Sequence, residues 1–240
     1  MTTIYSGYDL SNLTYSPEGR LLQIEYASKL VSKSFPVIGL VCKDGLVIVS
    51  QGLSFNSIYQ SGHIGNCQLN KNVFIGATGH TSDIDFIIQK VNSDNKNYLK
   101  LFSNMLTSIV IIHKICSFLH IHTIYWHLRP LACSFVIGSI DRNLFQLYII
   151  FLSGFFMKCF AGTIGINSYL IQSKLEFLVY KKLCCRKSIE IISSMMKKIL
   201  ADENKGLLNI AWLSKENSFK QFSINCNLWN EYNRTSKIFF

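Results

Sequence analysis

Tyr15-Ser16-Pro17-Glu18-Gly19-Arg20-Leu21-Leu22-Gln23-Ile24-Glu25-Tyr26-Ala27 is the stretch whose reading decides the fold. Ser16 is a helix-capping residue, Pro17 suits a first helical position and Glu18 suits the positive end of a helix dipole, so the pattern predicts a helix over 16–33. Leu21, Ile24, Ala27 and Val31 recur on one face, and Glu18, Glu25, Lys29 and Lys33 fall on the other. Glu25 and Lys29 form an i,i+4 pair in the favourable order. The expected element is a surface helix with one packed side. Ahead of it, residues 1–15 lack periodicity, hold Gly7 and read as an irregular arm.

Downstream, Val37–Cys42 and Leu46–Val49 flank Lys43-Asp44-Gly45, the pattern of a hairpin. Both runs are nearly continuous in apolar residues, which predicts strands covered on both faces. Asn72–Ala77 reads as a short strand. Helices are expected over Thr81–Leu101 and Asn104–Tyr125, the second apolar nearly all round and hence deep in the protein, with Arg129-Pro130 ending it. Cys133–Ile140 and Phe145–Ile150 form a second hairpin around Asp141-Arg142-Asn143, and Phe155–Ala161 adds a strand. Helices over Ser168–Leu183 and Ser188–Asp202 precede strands at Leu208–Leu213 and Phe219–Ile224, and 226–240 is a polar tail. Strands, two helices, strands, two helices, strands is the order of an α+β protein with two sheets between helical layers. One domain, with an arm over 1–15, a helix over 16–33 and a sandwich over 34–225, is the simplest organisation.

Composition narrows the function. The 240 residues carry 24 Lys and Arg against 14 Asp and Glu, a formal net charge of +10, and 49% are hydrophobic. A core of this size needs no disulfide or metal. The charge is scattered, with no Arg-Gly-Gly run or aromatic-basic platform, so nucleic acid is not an expected partner. Leu101–Trp126 is interrupted by Asn104, His113, Lys114, His120 and His122, and Leu144–Phe160 by Gln146, Gly154 and Lys158. Neither offers the run of about 20 apolar residues a spanning helix needs, so no membrane is expected. The eight cysteines include no Cys-x-x-Cys pair and read as reduced, mostly buried thiols of an intracellular protein. His120, His122 and His127 with Cys116 or Cys133 have poor ligand spacing, so no metal is expected. Cys184-Cys185 reads as a helix-end turn.

Tyr8-Asp9-Leu10-Ser11 together with the Tyr15–Ala27 stretch resembles the signature of proteasome alpha subunits. Gly39, Lys43-Asp44-Gly45, Thr123-Ile124-Tyr125, Arg129-Pro130, Cys133–Ser139, Ser153-Gly154, Gly165, Lys174-Leu175-Glu176 and Ala211-Trp212-Leu213 continue the likeness. The Gly7–Ser11 run and the Arg129-Pro130 region are most similar to the eukaryotic alpha type-3 branch. The resemblance implies a four-layer αββα sandwich of the N-terminal-nucleophile hydrolase type. It implies a subunit of a heptameric alpha ring of the 20S core particle, stacked on beta subunits, capped by regulatory-particle activators, and serving ubiquitin-dependent degradation in cytoplasm and nucleus. It also implies that the arm helps close the axial pore, with Tyr8, Asp9, Pro17 and Tyr26 as the inter-subunit cluster that holds the open gate. Ser16, Glu18, Gly19, Arg20, Gln23 and Glu25 are the remaining signature positions. Two departures stand out. The lysine that receives activator tails in many family members aligns near Asn66, beside Gly65 and Cys67, which speaks against docking in this subunit's own pocket. Phe151-Leu152 replaces the usual Asp-Pro before Ser153-Gly154, which implies a rebuilt hairpin with Phe151 toward a neighbour.

Catalysis in the related beta subunits uses a Thr freed at the start of the first strand, whose own amine is the base. Here more than thirty residues precede Phe35-Pro36-Val37, with no Gly-Thr junction there, and no carboxylate stands at Ser50-Gln51. Thr2 is remote from that strand, and Gly162-Thr163 falls in the wrong place. A non-catalytic subunit without a cofactor is expected. The alternative is a diverged N-terminal-nucleophile threonine hydrolase.

Overall fold

The computed structural model describes residues 7–53, 66–70, 72–141, 144–181, 183–199, 206–214 and 220–225. Thr2, Gly65, the Arg142-Asn143 turn and the 226–240 tail lie outside these residues.

Ten strands and five helices follow in the order α1 (Leu22–Lys33), β1 (Val37–Val41), β2 (Gly45–Leu53), β3 (Asn66–Asn70), β4 (Val73–Gly79), α2 (Thr81–Phe102), α3 (Ser108–Ile124), β5 (Cys133–Asp141), β6 (Leu144–Ile150), β7 (Phe156–Cys159), β8 (Ala161–Ile164), α4 (Ser168–Lys181), α5 (Cys185–Ile199), β9 (Gly206–Ser214) and β10 (Lys220–Asn225) among the described residues. One antiparallel sheet has the order β10-β9-β2-β1-β8 and the other β3-β4-β5-β6-β7.

Alternation along each strand builds three apolar layers. Val37, Leu46 and Ile48 point between the sheets and meet Phe74, Val136, Leu147 and Ile149 of the opposite sheet. Ile38, Leu40, Val47 and Val49 point the other way, onto Ile171 and Leu175 of α4 and Ile189 and Ile192 of α5. On the second sheet Ile75, Phe135, Ile137 and Ile150 turn outward onto Ile87 and Val91 of α2 and Ile111, Ile115 and Leu119 of α3. The nearly continuous apolar runs are therefore period-2 strands with both faces covered, and the four-layer sandwich expected from the sequence is present. Gly39 lets the sheets approach: a Cβ there would stand 2.7 Å from Val136 Cγ1 and 2.8 Å from Leu147 Cδ1. Helix α1 belongs to neither helical layer. It packs against β4 and β5 and sends Ala27 and Val31 into the space between the sheets.

The first hairpin is where the sequence placed it, with Val41 opposite Leu46 and the Cys42 N–H donating to the Gly45 carbonyl at 2.8 Å. Gly45 serves packing as well as turning: a Cβ would stand 2.4 Å from the Leu213 carbonyl oxygen and 2.8 Å from Cys185 Sγ.

Four expectations are corrected. The first helix starts at Leu22, not at Ser16. Ser16-Pro17-Glu18-Gly19 is a reverse turn, closed by the Gly19 N–H donating to the Ser16 carbonyl at 2.8 Å and by the Arg20 N–H donating to Ser16 Oγ at 3.1 Å. Pro in the second turn position and Gly in the fourth favour such a turn, and Gly19 at φ +76° cannot sit in a right-handed helical turn. Helix α3 is not deep: Ile109, Val110, Ile121 and Ile124 are exposed opposite its packed face. The single strand expected over Phe155–Ala161 is two, β7 on one sheet and β8 on the other, with the chain crossing between sheets at Phe160. Strand β3 was not expected, although Asn66-Cys67-Gln68-Leu69-Asn70 alternates polar and apolar residues; it pairs with β4 and turns Cys67 and Leu69 onto the core beneath α2 and α3. No described helix is long and apolar enough to cross a membrane.

Candidate functional site

Two regions carry the signature residues and the place where a nucleophile would stand: the arm leading into α1, and the cleft at the far end of α1.

In the arm, Gly7 adopts φ +97° and Tyr8 and Asp9 follow in a turn, both half-buried. The Gln23 side-chain amide donates to the Asp9 carbonyl, tying this turn to the first turn of α1. Arg20 reaches forward to Glu25, its Nε 2.6 Å from Oε1, with Glu18 3.5 Å from its Nη1. Arg20, and not Lys29, is thus the hydrogen-bonded partner of Glu25. Hydrogen bonding to Arg20 holds the Glu25 carboxyl below its ordinary value, and Glu25 raises the guanidinium. Lys29 lies over the Tyr26 ring, 5.8 Å from its centroid. Tyr26 is 46% exposed and Pro17 is exposed on the turn. Among the described residues no hydrogen bond or ring contact joins Tyr8, Asp9, Pro17 and Tyr26 to one another.

Sequence reasoning missed Asn12. It is only 4% exposed, and its Nδ2 lies 2.9 Å from the Tyr125 carbonyl oxygen, 3.2 Å from that of Leu128 and 3.3 Å from those of His122 and Thr123. These carbonyls belong to the last turn of α3 and the turn that follows. No local pattern could reveal partners 110 or more residues away. The same turn is fixed from below: Asp83 in the first turn of α2 accepts from Arg129 Nη1 at 2.9 Å and Nη2 at 2.5 Å, and from the Ala132 N–H at 2.9 Å. Burial pushes the Asp83 carboxyl up, but the hydrogen bonds from Arg129 and Ala132 outweigh it and hold the group below its usual range.

The cleft, of about 300 Å³, opens between the end of α1, the start of β1 and the start of α2, lined by Leu30, Lys33, Phe35, Gln51, Thr78 and Thr81 among others. Residues 34–36 are clamped at its edge. Thr78 Oγ1 donates to the Phe35 carbonyl at 2.6 Å, the Ile166 N–H to that of Ser34 at 2.9 Å, and the Gln51 N–H to that of Pro36 at 3.4 Å. Gly165, at φ +104°, permits the clamp, because a Cβ would stand 2.7 Å from the Phe35 carbonyl oxygen. Residues 34–36 join α1 to β1 directly, and the nitrogen of Pro36 is a tertiary amide; N-terminal-nucleophile chemistry takes a free amine as its base. Ser50 and Gln51 are buried. Gly162-Thr163 lies inside β8, paired with Gly39 and Ile38.

The remaining candidates resolve into structural roles. Among the described residues no group of three or more His, Cys, Asp and Glu could hold a metal. His122 Nδ1 is 3.2 Å from the Arg129 carbonyl oxygen, while His127 packs on Tyr125 and Trp126. The seven described cysteines are free thiols, most of them buried. Burial pushes Cys67 up to about 12 and Cys116 up to about 11, which disfavours their thiolate forms. Cys185 begins α5, its N–H donating to Asp44 Oδ1 at 2.8 Å, so the first hairpin caps that helix. Asn66 is buried and bridges the two sheets, its Nδ2 donating to the Asn209 carbonyl at 2.9 Å. Phe151 stacks on Phe155 at 6.1 Å, and its N–H donates to the Phe155 carbonyl at 2.9 Å, closing a tight loop around Ser153-Gly154.

Comparison with known proteins agrees with this geometry. Residues 31–213 match the family model described as proteasome subunit, and residues 8–29 match the N-terminal signature of A-type proteasome subunits. The alpha type-3 proteasome subunit of Arabidopsis thaliana is 29% identical over 99% of this chain and 96% of its own length. The alpha type-3 subunit of Oryza sativa subsp. japonica is 30% identical, covering 91% and 89%, and that of Drosophila melanogaster 32%, covering 74% and 71%. A clamped first strand, a four-layer sandwich and an arm-and-helix signature matched along its length lead to one conclusion: the chain belongs to the proteasome subunit family, as a member of its alpha type.

Proposed function

We propose that this alpha-type subunit is non-catalytic, contributes to ring assembly, and gates substrate access to the core particle in ubiquitin-dependent degradation. The observation that carries this reading is the continuity of α1 into β1. The amide at Pro36 would deny the site its base, while residues 7–21 and α1 lie at the surface. Tyr8, Asp9, Pro17 and Tyr26 act as the gate cluster. Pro17 and Tyr26 are exposed in the single chain, which suits groups whose partners come from a neighbour. Ser16, Glu18, Gly19, Arg20, Gln23 and Glu25 hold the turn and the first helical turn that present them. Residues 1–15 form the gate arm and 226–240 a tail, around a single domain.

The partners are neighbouring alpha subunits, the beta ring and regulatory activators, with no nucleic acid and no membrane. The outward apolar side chains of α3 and the end of α2, Leu101 and Phe102 among them, support burial by another subunit, because a patch of this kind is unfavourable in water. Localisation in cytoplasm and nucleus follows from membership of that particle.

The test is native mass spectrometry of the endogenous assembly purified through a tag on this chain. One tagged copy per ring in a proteasome-sized particle is the expected result. Free chain, or a mature N-terminus beginning at a strand-starting Thr, would overturn the reading.

A further inference from the structure

We infer that Asn12 is the positioning residue that sets where the arm leaves the body, by plugging the carbonyl-lined end of α3. The last carbonyls of a helix lack intrahelical donors and carry the negative end of its dipole. Here two such groups, His122 and Thr123, converge with the carbonyls of Tyr125 and Leu128 on one point, and Asn12 Nδ2 occupies it. Its orientation follows from chemistry: turned over, Oδ1 would face four carbonyl oxygens. Oδ1 has no hydrogen-bond partner among the described residues, so the donor end alone holds the side chain. The neighbours of Asn12 are weakly held by comparison. Leu10 and Leu13 are exposed, and among the described residues Ser11 bonds only the nearby Leu13 N–H, at 3.1 Å. Between the Gln23 contact to Asp9 and the turn at Ser16, Asn12 is the buried fastening of the arm to the sandwich.

The functional meaning of this anchor rests on the gating reading, and the experiment separates the two. Core particles would carry Asn12→Ala, Asn12→Asp or a deletion of residues 2–9 in this chain. Hydrolysis of a small fluorogenic peptide would be measured before and after addition of a regulatory activator. Both Asn12 variants are expected to raise basal hydrolysis about threefold to tenfold, the population shift of one lost net hydrogen bond, with the activated rate unchanged. Asn12→Asp should exceed Asn12→Ala, because a carboxylate repels the carbonyls that the amide attracts. A role in folding alone would lower particle yield and leave the ratio of activated to basal rate untouched. If the deletion raises basal hydrolysis and the Asn12 variants do not, the anchor is wrong and the gate stands. If the deletion has no effect, the gate reading fails, and hydrogen exchange of the amides at residues 8–14 decides the anchor. Faster exchange in Asn12→Ala would support it, and unchanged exchange would overturn it. Should Asn12→Asp fail to assemble, Asn12→Ala carries the test.

Discussion

At the front of α1, residues 7–21 are held mainly through side chains: Asn12 on the end of α3, Gln23 on the Asp9 carbonyl, Ser16 on the Arg20 N–H. At the back, residues 34–36 are held through their backbone carbonyls, by a threonine and by backbone N–H groups of β2 and the turn before α4. The front fastenings are few, partly solvated and individually removable. The back joint continues directly into a central strand. One helix thus connects a segment held by a few side-chain contacts to one held through its own backbone carbonyls.

The contrast can be broken from either side. Gly165→Ala forces a Cβ at positive φ into the Phe35 carbonyl and should cost about 2–4 kcal/mol in chemical denaturation of the purified chain. A smaller loss would mean that the back joint is looser than its geometry indicates. Asp83→Asn weakens the turn after α3, on which Asn12 seats, and should cost about 1–3 kcal/mol. The sign of its pH dependence is fixed. The folded Asp83 carboxyl lies below its unfolded value, so its contribution is complete above the ordinary carboxylate range and is lost as pH falls through the depressed folded value. Asp83→Asn should accordingly flatten the acid limb of the stability curve.

On the front side, Ser16→Ala removes the side-chain acceptor of the Arg20 N–H and should cost about 1 kcal/mol, with faster hydrogen exchange confined to residues 17–21. A loss as large as that of Gly165→Ala would erase the distinction between the two ends. Arg20→Gln should change least. Its pair with Glu25 is at the surface, so any shift in melting temperature should vanish as salt is raised.

The Lys43-Asp44 hairpin, the two helix pairs and the coverage of β1 and β2 on both faces could be read from turn residues and apolar patterning, because each depends on neighbours in sequence. The start of α1 was also legible, and was misread: Ser16-Pro17-Glu18-Gly19 satisfies both a helix-start pattern and a turn pattern, and the glycine in the fourth position favours the turn. The outward face of α3 could not be read, since an apolar helix looks the same whether the protein's own layers or another subunit covers it.

Sequence alone thus determined the layer order and the family signature, both properties of adjacent or regularly spaced residues. Tertiary structure decided which groups meet across the chain: Asn12 on the end of α3, Asp83 on Arg129, Asp44 on the first turn of α5, and the crossing at Phe160. A carbonyl at a helix end takes whatever donor the fold delivers, so nothing local to Asn12 announces the role that the folded chain gives it.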